Sequence, residues 1–131
     1  MISVIYGAKG SGKTKRIIDA ANAAGESASG QVVFITDHDE SLGVSARVRF
    51  INLAEYAVKT KDEFIGFVKG MLATNFDIEK VYIDGMGRLL EIPAEKLKKI
   101  FDALKTLDDN VEFVLTVSAD TLPKFMAKYA I

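Results

Sequence analysis

Residues 7–14 read Gly7-Ala8-Lys9-Gly10-Ser11-Gly12-Lys13-Thr14, and this segment decides the fold. It follows an apolar run at residues 2–6 and precedes residues 13–24, which carry the apolar spacing of a helix. Glycine adopts backbone conformations that other residues avoid, so the segment predicts a tight turn joining a buried strand to a helix. Gly25 is expected to end that helix. We call residues 7–14 the glycine loop.

The glycine loop matches the pattern G-x-x-x-x-G-K-[ST] without a gap. In such loops, backbone N–H groups and the N-terminus of the following helix form a concavity that holds anionic phosphates. The lysine reaches the β- and γ-phosphates of a nucleoside triphosphate, and the hydroxyl is a magnesium ligand. Lys9 is either an additional charge near the phosphates or a solvated loop lysine. The candidate nucleotide-binding residues are Gly7, Ala8, Lys9, Gly10, Ser11, Gly12, Lys13 and Thr14.

A carboxylate is expected to complete the magnesium shell. The short apolar run Val81-Tyr82-Ile83 ends in Asp84, and an apolar strand ending in Asp is the usual source of that carboxylate. We predict that Asp84 holds Mg²⁺ through water, together with Thr14, and that Lys13 and Asp84 are the catalytic residues. The alternative is an aspartate that only ends a strand.

Composition restricts the remaining possibilities. The 131 residues favour one domain spanning 1–131, and 49% hydrophobic content is ordinary for a globular protein. The net charge of −1 gives no overall attraction to nucleic acid or to an anionic membrane. Cysteine is absent, which excludes disulfides and thiolate metal sites. No apolar run approaches the ~20 residues of a membrane span, so we expect a cytoplasmic protein that does not bind membranes.

Strand and helix patterns alternate along the chain, which predicts an α/β fold: a single-domain, doubly wound, mainly parallel sheet with helices on both faces. Further strands are expected at residues 32–35, 47–51, 81–83 and 111–117. Polar and apolar residues alternate at 47–51, which suggests an edge strand. Helices are expected after Thr60, which has capping-box spacing to Glu63, near Pro93 and after Asp120. Continuous apolar runs indicate that the strands at 2–6, 81–83 and 111–117 are all interior.

These motifs make the chain resemble the P-loop NTPase superfamily, in which the glycine loop is the Walker A loop. Asp84-Gly85-Met86-Gly87 also fits the D-x-x-G pattern of GTPases. A guanine-reading N-K-x-D or T-K-x-D segment is absent, however, and a whole strand–helix unit separates Lys13 from Asp84. The RecA-like branch is therefore the better resemblance. The chain is also similar to short uncharacterised single-domain P-loop proteins that are sometimes named after a twitching-motility ATPase, although nothing here supports a motility role.

The RecA-like resemblance implies a strand order such as 5-1-4-3-2, with one strand inserted between the loop strand and the acidic strand. It also implies a polar sensor at the tip of the inserted strand. Thr116 and Ser118 are the candidates for that sensor, and structural hydroxyls at a strand end are the alternative.

The sequence departs from this branch beside Asp84, where position 85 is Gly rather than the Glu that orients the attacking water. General-base help worth about 10²–10⁴-fold is then missing. Other acidic residues that fit either this task or an ordinary surface position are Glu91, Asp37 and Asp120. Arginines that fit either charge stabilisation on a phosphoryl group or a solvated surface are Arg47, Arg49 and Arg88.

The only histidine, His38, lies in the segment Asp37-His38-Asp39-Glu40. In an open parallel sheet this segment would follow a strand at the edge that faces the ligand. One histidine among loop carboxylates fits an ordinary loop better than a metal site.

The sequence therefore predicts a protein that binds ATP with Mg²⁺ and hydrolyses it slowly, or only when a protein partner or self-association supplies missing catalytic groups. A small-metabolite kinase using the same loop is the alternative, although a kinase needs a second binding site and the loops at residues 36–46 and 85–92 are the only generous ones. A RecA-type nucleic-acid motor has no support in the charge balance.

Overall fold

Five strands form one sheet in which every pairing is parallel. The structure is a computed structural model that describes residues 1–39 and 41–131. The strands are β1 (Ile2–Gly7), β2 (Gln31–Thr36), β3 (Val48–Asn52), β4 (Ile78–Ile83) and β5 (Glu112–Ser118). Their order across the sheet is β1-β5-β4-β2-β3. The α/β class and the parallel sheet predicted from the sequence are confirmed, as is the edge position of β3.

Helices cover both faces of the sheet. On one face lies α1 (Lys13–Ser27), which packs with apolar residues of all five strands. The other face carries α2 (Lys61–Thr74), α3 (Met86–Leu90), α4 (Lys98–Leu107) and α5 (Lys124–Ala127). Short 3-10 helices occur at Ser41–Gly43, Leu53–Tyr56 and Ala94–Leu97. No helix within the two described ranges is both long and apolar enough to cross a membrane.

Successive residues of a strand point to opposite faces, and β2 shows why the apolar runs are continuous. Val33 and Ile35 belong to the core under α2–α5, whereas Val32 and Phe34 belong to the core under α1. A strand between two helical layers must be apolar at every position. The interior positions predicted for the strands at residues 81–83 and 111–117 are confirmed, since β4 and β5 each have a strand on both sides.

The start of α2 follows the predicted capping box. The Thr60 hydroxyl accepts a hydrogen bond from the backbone N–H of Glu63 at 3.1 Å, and the Glu63 carboxylate accepts one from the Thr60 N–H at 3.0 Å. These two bonds satisfy donors that the first turn of a helix leaves without partners.

The interior position predicted for the strand at residues 2–6 is wrong. On its open side, β1 makes one bridge to the rest of the described chain: the Val4 N–H donates to the carbonyl of Tyr129 at 2.7 Å, and the Ile131 N–H donates to the carbonyl of Val4 at 2.9 Å. A continuous apolar run indicates that both faces of the sheet are covered at that strand. It does not indicate whether another strand lies on each side of it. The order 5-1-4-3-2 is likewise not observed, although one strand, β5, does separate β1 from β4.

Two local predictions are also corrected. Gly25 does not end α1, which continues to Ser27. A Cβ at Gly25 would lie 2.9 Å from Cγ2 of Val48, so glycine lets the helix pass close to β3. Residues 85–92 are not an open loop, because they contain α3. This five-residue helix is too short to produce a periodic apolar signal.

Candidate functional site

The glycine loop leaves the carboxyl end of β1 and leads into the first turn of α1. Gly10 and Gly12 have φ angles of 82° and 89°, in the left-handed region that favours glycine. Gly12 is the N-cap of α1, where no side chain caps the helix. The first N–H groups of α1 therefore remain available to an anion.

The side chain of Lys13 folds back over the loop that precedes it. Its ammonium group donates a hydrogen bond to the carbonyl of Ala8 at 2.9 Å. The positive charge is thereby held above the loop, at the cavity described below. This is a position from which an ammonium group can contact a phosphate chain.

Asp84 follows β4 and is only 3% exposed. One oxygen, Oδ2, accepts a hydrogen bond from the hydroxyl of Thr14 at 3.0 Å, and the other, Oδ1, accepts one from the hydroxyl of Thr116 at 2.6 Å. The Thr116 hydroxyl also accepts the backbone N–H of Gly85 at 3.2 Å. The structure thus brings Thr14 and Asp84, the two predicted metal-holding residues, into direct contact across 70 residues of chain.

The donor set at this contact fits magnesium. A hydroxyl and a carboxylate are hard oxygen donors, and proteins usually bind Mg²⁺ through one or two carboxylates completed by water and substrate phosphates. Within the described residues there is no group of three or more His, Cys, Asp or Glu side chains that could form a metal cage. Thr14 and Asp84 would therefore hold the ion only together with a ligand that brings its own oxygen atoms.

A cavity of about 600 Å³ opens at this contact. Its volume lies within the range typical of small-molecule sites. One part is polar and charged, and its lining includes Lys9, Lys13, Thr14, Asp84, Arg88, Thr116 and Ser118. Apolar residues line the cavity as well, and we call Ile92, Pro93, Ala94 and Leu97 together the apolar wall.

Arg88, on α3, lies at the cavity and pairs with Asp37 at the carboxyl end of β2. Its guanidinium donates two hydrogen bonds to the carboxylate, at 2.9 and 2.8 Å, and His38 Nδ1 lies 2.7 Å from the same carboxylate. Burial acts to raise the pKa of Asp37. The hydrogen bonds and positive charges of Arg88 and His38 outweigh this and lower the pKa to about 2. Asp37 is consequently a weak base.

The other candidate residues lie elsewhere. Glu91 lines a separate cavity beside Ala57 and Leu90, and Asp120 is exposed in the turn after β5. Arg47 is exposed and lies 3.7 Å from Glu26. Arg49 is exposed on the edge strand β3, and Glu40 lies outside the described residues. Among the described residues that line the 600 Å³ cavity, Asp84 is the only carboxylate.

The pair between Asp37 and Arg88 and the apolar wall were not anticipated from the sequence. A signal for the pair did exist, because Asp37 follows β2, Arg88 lies four residues after Asp84, and carboxyl ends of neighbouring parallel strands meet at one sheet edge. The wall had no such signal, since its residues read as the start of an amphipathic helix.

In comparisons of this sequence with models of protein families and with curated proteins, no match was found. The chemistry of the site is therefore the basis for assigning a function.

Proposed function

We propose that this chain is a P-loop protein that binds a nucleoside triphosphate, with ATP as the expected nucleotide, together with Mg²⁺. Hydrolysis by the chain alone is slow, and a protein partner or a second copy supplies the groups needed for faster turnover. The glycine loop is the phosphate-binding (Walker A) loop, and Asp84 is the acidic residue of the magnesium site.

One observation carries this proposal: the hydrogen bond from the Thr14 hydroxyl to the Asp84 carboxylate at the mouth of the glycine loop. A glycine-rich turn with no ligand would have no reason to join a nearly buried carboxylate on another strand. A magnesium–triphosphate site requires this juxtaposition, because the hydroxyl and the carboxylate would both have to hold the same ion.

The chain's own residues then divide the work of binding. The N–H groups of the glycine loop and of the first turn of α1 surround the phosphates, and the Lys13 ammonium neutralises their charge. Thr14 would hold Mg²⁺ through its hydroxyl, and Asp84 would hold it through water. When bound, the metal ion supplies charge neutralisation between the terminal phosphates.

Slow hydrolysis follows from the same geometry. Both oxygens of Asp84 already accept hydrogen bonds, from Thr14 and Thr116. Asp84 is also the only carboxylate among the described residues that line the cavity. Among the described residues, therefore, no carboxylate is positioned to orient a water molecule for attack.

A small-metabolite kinase is the second candidate function, and the apolar wall of the cavity is the observation that supports it. Ile92, Pro93, Ala94 and Leu97 line the same cavity as the charged residues, and a triphosphate chain does not need these apolar side chains, so the cavity also offers space to another group. An acceptor substrate is one occupant of that space, and the nucleoside is the other. A screen for phosphate transfer from labelled ATP to metabolite pools separates them, since the kinase gives a labelled product other than phosphate.

The test of binding is isothermal titration with ATP, GTP and their diphosphates, with and without magnesium. We expect magnesium-dependent triphosphate binding that Lys13→Ala abolishes while leaving the fold intact, because Lys13 is partly exposed and its ammonium group bonds to its own loop. Lys15→Ala is the matched control, since Lys15 lies in the same helical turn but is exposed and pairs with Asp19. Equal nucleotide affinity in Lys13→Ala and the parent protein would contradict the proposal.

A further inference from the structure

We propose that Arg88 senses the terminal phosphate of the bound nucleotide, and that Asp37 holds it in a resting position until a triphosphate arrives. This inference rests on the proposed triphosphate site. The glycine loop and Lys13 bind diphosphates and triphosphates alike, whereas Arg88 distinguishes them by leaving Asp37 for the terminal phosphate.

The first observation is the form of the contact between Arg88 and Asp37. Two guanidinium nitrogens donate to the two carboxylate oxygens at 2.9 and 2.8 Å, a two-pronged geometry that a phosphate can offer equally well. Arg88 also lines the cavity that contains Lys13, Thr14 and Asp84. The pair therefore places a phosphate-binding group at the same cavity, on a carboxylate that a phosphate can replace.

The second observation is the location of the guanidinium relative to Gly85. A Cβ at position 85 would lie 2.1 Å from Nη2 of Arg88 and 2.6 Å from its Cζ. The guanidinium thus occupies the space that a side chain beside Asp84 would fill. Gly85, with φ of 84°, leaves that space open. The missing glutamate and the position of Arg88 are therefore two aspects of one arrangement, in which a positive group takes the place beside the magnesium-holding carboxylate.

The third observation is that Arg88 can move without opening the core. Its side chain is 50% exposed, while α3 is anchored by the buried side chains of Met86 and Leu90. Asp37, which is 14% exposed, keeps its contact with His38 when the arginine leaves. The exchange therefore involves rotation of one long, half-exposed side chain, and it leaves the Asp37 carboxylate in contact with His38.

The exchange makes opposite predictions for the two partners. Removing the arginine should weaken ATP binding and leave ADP binding unchanged, because ADP has no terminal phosphate at that position. Removing the charge of Asp37 should strengthen ATP binding, because the terminal phosphate then no longer competes with the Asp37 carboxylate for the guanidinium. Since the aspartate acts only through the arginine, the double variant should behave like the arginine variant.

The experiment measures ATP and ADP dissociation constants, with Mg²⁺, for the parent, Arg88→Gln, Asp37→Asn and the double variant. We expect the preference for ATP over ADP to fall about tenfold in Arg88→Gln, which corresponds to one charge-assisted hydrogen bond. We expect it to rise several-fold in Asp37→Asn. Arg47→Gln is the control, because Arg47 is an exposed arginine outside the cavity.

An unchanged ATP preference in Arg88→Gln, or equal losses for both nucleotides, overturns this inference and leaves triphosphate binding intact. Failure of the parent protein to bind ATP overturns the binding proposal as well. Nitrogen-15 NMR of the parent gives a second readout that does not depend on variants folding. The chemical shift of the Arg88 Nε–H should change when ATP is added and should not change with ADP. Equal changes with both nucleotides would contradict the exchange.

Discussion

At the scale of single residues, the Asp84 carboxylate is the point on which the site depends. It is nearly buried, and each oxygen accepts one hydroxyl hydrogen bond, from Thr14 or from Thr116. A buried carboxylate carries a desolvation cost that hydroxyl donors only partly offset. We therefore interpret this buried carboxylate through the proposed function, in which it would hold a magnesium ion through water.

Replacing Asp84 with Asn separates the charge from the packing. Asparagine has the same shape and still accepts a hydrogen bond, so the free energy of unfolding should stay level or rise. Magnesium-dependent ATP affinity should fall by about 10–100-fold, as for other residues that bind a metal through water. Titrations with chelator should show nearly equal affinities for parent and variant. Equal losses of ATP affinity with and without magnesium would instead show that Asp84 only supports the loop. The control is Asp109→Asn, because Asp109 is an exposed aspartate.

The Asp37 pair gives a prediction about pH. The pKa of Asp37 falls from 3.8 to about 2, because Arg88 and His38 outweigh the effect of burial. The unfolded chain therefore binds the proton more readily than the folded one, and the stability that this carboxylate contributes is complete above about pH 4 and is lost towards pH 2. Urea unfolding of the parent and Asp37→Asn should show a stability difference that shrinks over this range. A difference independent of pH would contradict the assignment.

At the scale of elements, glycines in helices give a matched comparison. Gly25 lies inside α1, where a Cβ would be 2.9 Å from the buried Val48, whereas Gly66 in α2 has nothing within 4 Å of that position. Alanine favours a helix over glycine by about 1 kcal/mol. Overpacking costs about 1–3 kcal/mol. Gly66→Ala should therefore stabilise the protein, and Gly25→Ala should destabilise it by up to about 2 kcal/mol.

Thermal or urea unfolding measures both changes, and a double variant identifies the cause. Val48→Ala removes the methyl groups that a Cβ at Gly25 would meet, so it should recover the loss caused by Gly25→Ala. If Gly25→Ala and Gly66→Ala have the same effect on the free energy of unfolding, the close approach between α1 and β3 does not constrain the helix.

Elements with strong local signals were predictable from the sequence, and those without were not. The α2 helix begins with a capping box that is visible in the order of Thr60 and Glu63. In contrast, α3 has only five residues, and Gly25 looked like a stop because close packing against another element leaves no trace in local sequence. The position of Asp84 directly after β4 was predictable for the same reason as the start of α2, because an apolar strand followed by a carboxylate is a local pattern in the sequence.

At the scale of the whole molecule, sheet order was the part that sequence did not specify. The apolar run in β1 correctly indicated cover on both faces, but β1 is an edge strand whose open side meets, among the described residues, a single bridge at Ala130. Lateral order depends on which connections cross which face, a property of the complete chain. The contact of Arg88 with Asp37 also depends on this strand order, because Asp37 follows β2, Arg88 follows β4, and these two strands are neighbours in the sheet.

The last prediction also belongs to the whole molecule, because it depends on what surrounds the cavity. Among the residues that the structure describes, no carboxylate other than Asp84 lines it. Asp37 pairs with Arg88 and has a pKa of about 2, and Glu91 lines the other cavity. Under the proposed function, the described residues would bind the nucleotide and neutralise its charge, and none of them would orient the attacking water. We expect turnover of ~10⁻⁴–10⁻² s⁻¹, as in nucleotide hydrolases that lack such help.

The measurement is phosphate release at saturating ATP and magnesium, repeated over a wide range of protein concentrations. A constant rate per molecule means that the isolated chain is responsible, whereas a rate that rises with concentration means that a second copy supplies the missing group. Lys13→Ala serves as the blank for contaminating hydrolases. Turnover above about 1 s⁻¹ at concentrations where the protein is monomeric would show that a competent base is already present. Glu91, Asp37 and Asp120 would then be the first residues to replace, because a base outside the cavity must enter it when nucleotide binds.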